Sequence, residues 1–253
     1  MNSPSYLKLR NGGRLAYHKR EGTGPGIVFM GGFRSDMTGV KAMALETFAR
    51  ERDLAFVRFD YRGHGRSSGD FGDCTIGMWK EDALLVLTKL TKGPQILVGS
   101  SMGGWLALLA AREKPKRVAG IIGIAAAPDF TQNLLWEKLT PKQQAEIRQK
   151  GKIMVPSDMG EPYPITKRFI EEAREHRILD AEIPVFCPVR LLHGMKDADV
   201  PWEVSFSINE KLASRDVKTI LIEGGDHRLS EPKDVEKLLR VTAKLLESIK
   251  TDI

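Results

Sequence analysis

The hydrophobic positions of this chain follow two spacings. Short apolar runs at 26–30, 54–60, 94–98, 118–125, 189–192 and 219–222 lack the polar alternation of a half-exposed strand. They have the length of strands buried on both faces of a parallel sheet. Longer segments carry apolar residues three and four apart, which predicts helices over 37–50, 79–90, 105–111 and 202–212. A last helix carries Val235, Leu238, Leu239, Leu245, Leu246 and Ile249. At the start, two alternating segments, 6–10 and 14–18, flank Asn11-Gly12-Gly13 and read as a hairpin. The stretch 22–26 reads as a loop.

Strands alternating with helices predict an α/β fold, a mostly parallel sheet covered on both faces. The series spans 1–253 as a single domain. From Pro128 to about Phe186 the pattern changes, with strands giving way to polar, helix-forming sequence. Thr140-Pro141-Lys142-Gln143 has capping-box form, and Gly151 marks the far end of that helix. A loop with Pro156, Pro162 and Pro164 follows, then a helix over 165–176. Because the segment interrupts one alternating series, it reads as an inserted helical cap.

Composition and charge narrow the partners. No apolar run approaches the length of a membrane span, so stable membrane insertion is not expected. The first residues lack the apolar core of a secretory signal. Cys74 and Cys187 lie far apart without metal-ligand spacing, which suits free thiols in a reducing compartment. A cytoplasmic location follows, or the mitochondrial matrix for a processed chain. The net charge is +6, but the basic residues are scattered among acids, with no stripe of the kind that binds nucleic acid. Such a surface steers acidic small molecules at long range. The pattern sets no oligomeric state.

The candidate chemistry centres on Gly99-Ser100-Ser101-Met102-Gly103, a G-x-S-x-G between an apolar strand and an apolar helix. Ser101 is the candidate nucleophile, since the neighbours two away from Ser100 are Val98 and Met102. A serine hydroxyl needs a base, and the base needs an orienting carboxylate. Asp197 and then His227 follow in the hydrolase order, each just past a late strand. Asp199 is the alternative acid, with Asp197 then forming the turn. Backbone N–H groups for an oxyanion are expected from Met102, at a helix N-terminus, and from Phe33, with Arg34 second. Asp60, His64 and His193 read as turn residues, and His18 and His176 as solvent-facing. Neither a phosphate loop nor metal-ligand spacing is present, so no cofactor and no metal are expected.

These segments, with Gly31-Gly32-Phe33, Asp60-Tyr61-Arg62-Gly63-His64-Gly65-Arg66-Ser67 and His193-Gly194-Met195-Lys196-Asp197, resemble the α/β-hydrolase superfamily over nearly the whole chain. The runs 93–106, 190–202 and 225–228 resemble its mitochondrial palmitoyl-protein thioesterase branch, also known for acyl-glucuronide hydrolysis. The resemblance implies the triad Ser101, Asp197 and His227, and esterase or thioesterase activity without a cofactor. The expected substrate is a small molecule or an acylated protein. Leu134, Leu135, Trp136, Ile153, Met154 and Val155 of the cap either line an acyl pocket or pack the cap helices together. A monoacylglycerol lipase or serine peptidase on the same fold is the alternative enzyme. A non-catalytic ligand-binding protein is the alternative outside catalysis.

Overall fold

The computed structural model describes residues 3–10, 12–157 and 160–251. Its strands are β1 (Ser5–Lys8), β2 (Arg14–Arg20), β3 (Thr23–Met30), β4 (Leu54–Phe59), β5 (Gln95–Ser100), β6 (Val118–Ile124), β7 (Lys152–Ser157), β8 (Gly160–Thr166), β9 (Val189–Gly194) and β10 (Val217–Ile222). The helices are α1 (Val40–Glu51), α2 (Ile76–Lys89), α3 (Met102–Glu113), α4 (Pro141–Lys150), α5 (Lys167–Ala173), α6 (Glu203–Lys211) and α7 (Pro232–Thr251). One sheet runs in the order β1-β2-β4-β3-β5-β6-β9-β10, and β7 pairs with β8 apart from it. Every pairing from β4 to β10 is parallel, while β1 and β2 form an antiparallel ribbon at one edge. This is the α/β-hydrolase fold.

The apolar runs make this sheet because both of its faces are buried. Along β3, Val28 and Met30 join one core while Ile27 and Phe29 join the other. Leu97 of β5 and Ile121 of β6 side with Val28, and Ile96, Val98, Ile122 and Ile124 side with Ile27. Alternate side chains of a strand point to opposite faces, so an all-apolar run fills two cores at once. α2 and α3 cover the first face, with Trp79 and Trp105 wholly buried. α1 and α7 cover the second through Leu45, Phe48, Leu238 and Leu245.

Several boundaries differ from the sequence reading. β3 begins at Thr23, inside the expected loop, because Thr23 pairs with Leu54 before the register shifts ahead of Ile27. α1 starts at Val40 rather than Met37. The Met37 N–H donates to Asp60 Oδ1 at 2.7 Å, and Asp36 Oδ1 takes the Thr38 N–H at 2.7 Å, which holds these residues in a turn. The hairpin of β1 and β2 is present, but its turn residue Asn11 lies outside the described residues. His18 is half-buried. His176 is not solvent-facing either: its Nε2 lies 2.9 Å from Glu172 Oε1, and its carbonyl accepts from Trp105 Nε1 at 3.1 Å.

Between β6 and β9 the capping box forms as expected, with Gly151 left-handed at φ 81°. The expectation that strands vanish here is wrong. β7 and β8 pair with Met154 opposite Pro164 and Val155 opposite Tyr163. A two-stranded ribbon has two free edges, so prolines that cannot donate to a ladder are accommodated there. Ile153, Ile165, Phe169 and Ile170 of this segment pack into the same core as Trp79 and Trp105. Cys74 and Cys187 carry no disulfide, and burial pushes their thiols up to about 11 and about 12.

Candidate active site

Ser101 sits on the sharp turn between β5 and α3, at φ 53° and ψ −117°. Few L-residues adopt this conformation, and the surrounding bonds over-determine it. The Ser101 N–H donates to the Ile124 carbonyl at 2.8 Å, and its own carbonyl accepts from Gly104 at 2.9 Å and Ala127 at 3.1 Å. The turn brings helix and strand into contact. A Cβ on Gly99 would overlap the Gly103 backbone, and one on Gly103 would overlap the Met30 carbonyl. Rigid backbone cannot yield as a side chain can. Gly103→Ala should therefore cost about 3 kcal/mol or more of stability, the upper range for overpacking. Urea denaturation measures it; an unchanged midpoint would show that the turn has slack.

The loops after β9 and β10 reach Ser101 together. The Met195 N–H donates to the Ile222 carbonyl at 3.0 Å, and the Lys196 N–H to the Gly225 carbonyl at 2.8 Å. His227 Nδ1 lies 2.7 Å from Asp197 Oδ2, and His227 Nε2 lies 3.1 Å from Ser101 Oγ. A carboxylate only accepts, so Nδ1 carries the proton and Nε2 is left to accept from the serine hydroxyl. Of the two candidate acids, Asp197 is the one hydrogen-bonded to His227. Its Oδ1 accepts from the Asp199 and Val200 N–H groups at 2.9 and 2.8 Å. Asp199 is exposed and hydrogen-bonds to Asp197 through its backbone N–H. Asp197 is thus both the turn former and the partner of the imidazole. Burial works to raise its pKa, but hydrogen bonds from His193 and His227 and the Val200 N–H outweigh it, holding the carboxyl far below the usual range.

His193 does more than satisfy its own turn. Its Nε2 lies 3.1 Å from Asp197 Oδ2, and its Nδ1 lies 2.7 Å from Ser205 Oγ. The side chain is fully buried, a second imidazole on the carboxylate that His227 uses. The spacing His193-x-x-x-Asp197 across one turn was the available signal. Asp197, Asp199 and His227 hold atoms within 4.8 Å of one another that could ligate a metal, but Asp197 already accepts from four donors there.

The loop after β3 lies against the nucleophile: a Cβ on Gly32 would sit 3.5 Å from that of Ser101. The Arg34 N–H is spent on His64 Nε2 at 3.1 Å. The Phe33 N–H has no protein partner among the described residues. Met102 is the first residue of α3, where the amide falls outside the helical ladder. Phe33 and Met102 therefore remain the two candidate oxyanion donors. Asp60 anchors its turn as expected, accepting from the Met37 and Arg66 N–H groups.

A cavity of about 230 Å³ opens on Ser101 and His227, lined also by Phe33, Arg34, Lys41 and Arg228. None of the six apolar residues that could line an acyl pocket reaches it. Ile153 is core, Leu135, Trp136 and Val155 pack against that core, and Met154 is 55% exposed. Instead the cavity carries cations. Lys41 Nζ donates to the Arg228 carbonyl, and burial lowers its pKa to about 8 against the pull of Asp226.

Comparison with known proteins completes the picture. Residues 27–162 match the family model described as Serine aminopeptidase, S33 (Hydrolase_4). The chain is 44% identical to the Mus musculus protein named "Palmitoyl-protein thioesterase ABHD10, mitochondrial" over 253 residues, covering 98% of this chain and 84% of that one. The solved structure of alpha/beta hydrolase domain-containing protein 10 from mouse matches with a TM-score of 0.91 at 43% identity, covering 98% of this chain and 100% of that one. A solved Agrobacterium vitis S4 protein matches with a TM-score of 0.90 at 36% identity, covering 97% and 98%.

Proposed function

The chain belongs to this α/β-hydrolase family, and from that premise we propose that it cleaves acyl esters and thioesters through Ser101, His227 and Asp197. The observation that carries the reading is the unbroken line Ser101 Oγ, His227 and Asp197 at 3.1 and 2.7 Å. His227 Nε2 takes the hydroxyl proton as Ser101 Oγ attacks the acyl carbon. The Phe33 and Met102 amides hold the oxyanion, aided by the positive end of α3. The tetrahedral species collapses, and His227 returns the proton to the departing thiolate or alkoxide. Water, deprotonated by His227, then releases the acyl group from Ser101. Asp197 keeps the imidazole in the required tautomer and stabilises its charged form. A ligand-binding role alone would give no reason for this line of groups.

Leaving-group chemistry ranks the substrates. A thiolate or glucuronate departs more readily than an amine, which disfavours the peptidase alternative. The relatives' printed name supports acyl thioesters of proteins. The cations Arg34, Lys41 and Arg228 around the cavity support anionic leaving groups, acyl glucuronides among them. The cavity is smaller than the about 300–1,000 Å³ of a typical ligand site, so a long acyl chain would extend beyond it. One acyl group presented as thioester, glucuronide, glycerol ester and amide tests this. We expect kcat/KM at least about tenfold higher for the first two than for the amide, with added salt weakening the glucuronide most. A preference for the amide, or rapid glycerol-ester cleavage with neither thioester nor glucuronide turned over, would transfer the enzyme to the peptidase or lipase alternative.

The cytoplasmic expectation has no support from the relatives at 41–44% identity, whose names place them in mitochondria. Of the two locations read from the sequence we propose the mitochondrial matrix. No helix among the described residues is long and apolar enough to cross a membrane. A small-molecule or acylated-protein substrate, without nucleic acid, completes the proposal.

A further inference from the structure

We propose that His64 is a positioning residue of the oxyanion hole: its ring fixes the peptide before Arg34, so that the Phe33 amide stays open to substrate oxygen. This rests on the serine-hydrolase reading above.

The argument starts from a turn. The Ser35 N–H donates to the Gly32 carbonyl at 3.2 Å, which makes Phe33 and Arg34 the central pair of a four-residue turn. The peptide joining Gly32 to Phe33 is trans, so its carbonyl, facing Ser35, and its N–H point in opposite directions. That N–H is the Phe33 amide, without a protein partner among the described residues. Gly32 itself lies against Ser100 and Ser101, so this peptide borders the nucleophile.

What holds the turn is its middle peptide. Arg34 has φ 59°, the left-handed region that a side chain with a Cβ rarely adopts. With a right-handed Arg34 the middle peptide would turn over, taking its N–H away from His64 and its carbonyl to the side of the turn that the N–H now occupies. The Arg34 N–H belongs to that peptide, and its acceptor is His64 Nε2 at 3.1 Å. A peptide N–H only donates, so Nε2 is unprotonated and the ring proton sits on Nδ1, 3.3 Å from the Arg62 carbonyl. His64 is 4% exposed, and burial lowers its pKa to about 4, which keeps the ring neutral under ordinary conditions.

The anchor behind His64 is equally tied down. The Arg62 carbonyl also accepts from Trp79 Nε1 at 3.0 Å, and the Arg62 N–H and Nε donate to the buried Asp82 carboxylate at 2.9 and 2.8 Å. The Phe33 ring is gripped separately, with Phe71 at 5.0 Å, Phe130 at 5.5 Å and Phe169 at 5.6 Å. Side chain and backbone of the donor residue thus have different supports, and His64 serves the backbone.

The test separates this from simple packing, since the His64 ring also touches Phe71 and Trp79 edge-on. His64→Leu fills space without an acceptor, whereas His64→Gln can present Oε1 to the Arg34 N–H. We expect His64→Leu to lower kcat on an activated ester by about 10²- to 10³-fold, the loss typical of one oxyanion donor, with KM within about threefold. Affinity for butaneboronic acid, which forms a tetrahedral adduct on Ser101, should fall in parallel, and His64→Gln should restore kcat to within about tenfold of wild type. Nitrogen-15 NMR of the wild-type histidines at neutral pH should show a neutral His64 with the proton on Nδ1; this readout needs no variant to fold and no substrate to turn over. Unchanged kcat in His64→Leu, equal losses in the Leu and Gln variants, or a proton on Nε2 would overturn the proposal. A wild-type enzyme that cleaves no ester or thioester would instead count against the serine-hydrolase reading, and the NMR result would still decide the role of His64.

Discussion

Ser101→Ala is expected to lower kcat on an activated ester by about 10⁶-fold while the protein stays folded. The substitution removes one oxygen and keeps the Cβ, so the left-handed turn is neither relieved nor worsened. Its supports are backbone bonds to Ile124, Gly104 and Ala127, which the change leaves alone. The catalysis that remains is what the Phe33 and Met102 amides and substrate binding supply without a nucleophile. A fluorophosphonate should label Ser101 in the wild type and nothing in the variant. Labelling of Ser100, or activity within about tenfold of wild type, would remove Ser101 from the nucleophile's place.

Asp197→Asn should cost about 10⁴-fold in kcat, by the reasoning that applies to any triad acid. Oδ2 receives two imidazole N–H donors, from His227 and His193. An amide must place its oxygen or its NH₂ there. The NH₂ would force His227 to accept at Nδ1 and carry its proton on Nε2, facing the serine it must deprotonate. Asp199→Asn should change kcat by less than about threefold, because its carboxylate, though close to Asp197 and His227, is not the one that pairs with His227 Nδ1. Equal losses would share the acid role between them. The same variant has a pH signature. The folded pKa of Asp197 is depressed, so the carboxylate contributes stability that is present above the unfolded value of about 3.9 and lost as pH falls towards the folded one. Thermal unfolding of the Asn variant should therefore fall less steeply than wild type below about pH 4.

The strands were legible because each central one is buried on both faces, which writes itself as an unbroken apolar run. Ser101, Asp197 and His227 were legible because a nucleophile turn and two loop residues keep a fixed order along such a sheet. What escaped the sequence were contacts between turns that neither pattern nor spacing records. His64 meets Arg34 across thirty positions, with no periodicity to announce it. His193 gives no separate signal in the sequence, because His227 alone completes the order of base and acid; its contact with Asp197 emerges only in three dimensions. The β7–β8 ribbon was missed because its prolines argue against a strand unless both edges are known to be free. The apolar residues of the same segment suit an acyl pocket and packing onto α2 and α3 equally well, and the sequence alone does not choose between them.

The order of strands in the sheet also governs when this chemistry is born. A ribosome makes Ser101 early, and β3, β5 and β6 can cradle it while Asp197 and His227 do not yet exist. Both arrive on β9 and β10, which join at the far edge, where the Ala125 N–H meets the Leu192 carbonyl at 2.8 Å. On the proposed mechanism, a nascent or prematurely released chain carries Ser101 without its base and cannot attack the acyl esters around it. Hydrolysis by this protein is a signal that its carboxyl-terminal strands have docked, so recovered activity during refolding times that docking, whereas the formation of helix and sheet does not.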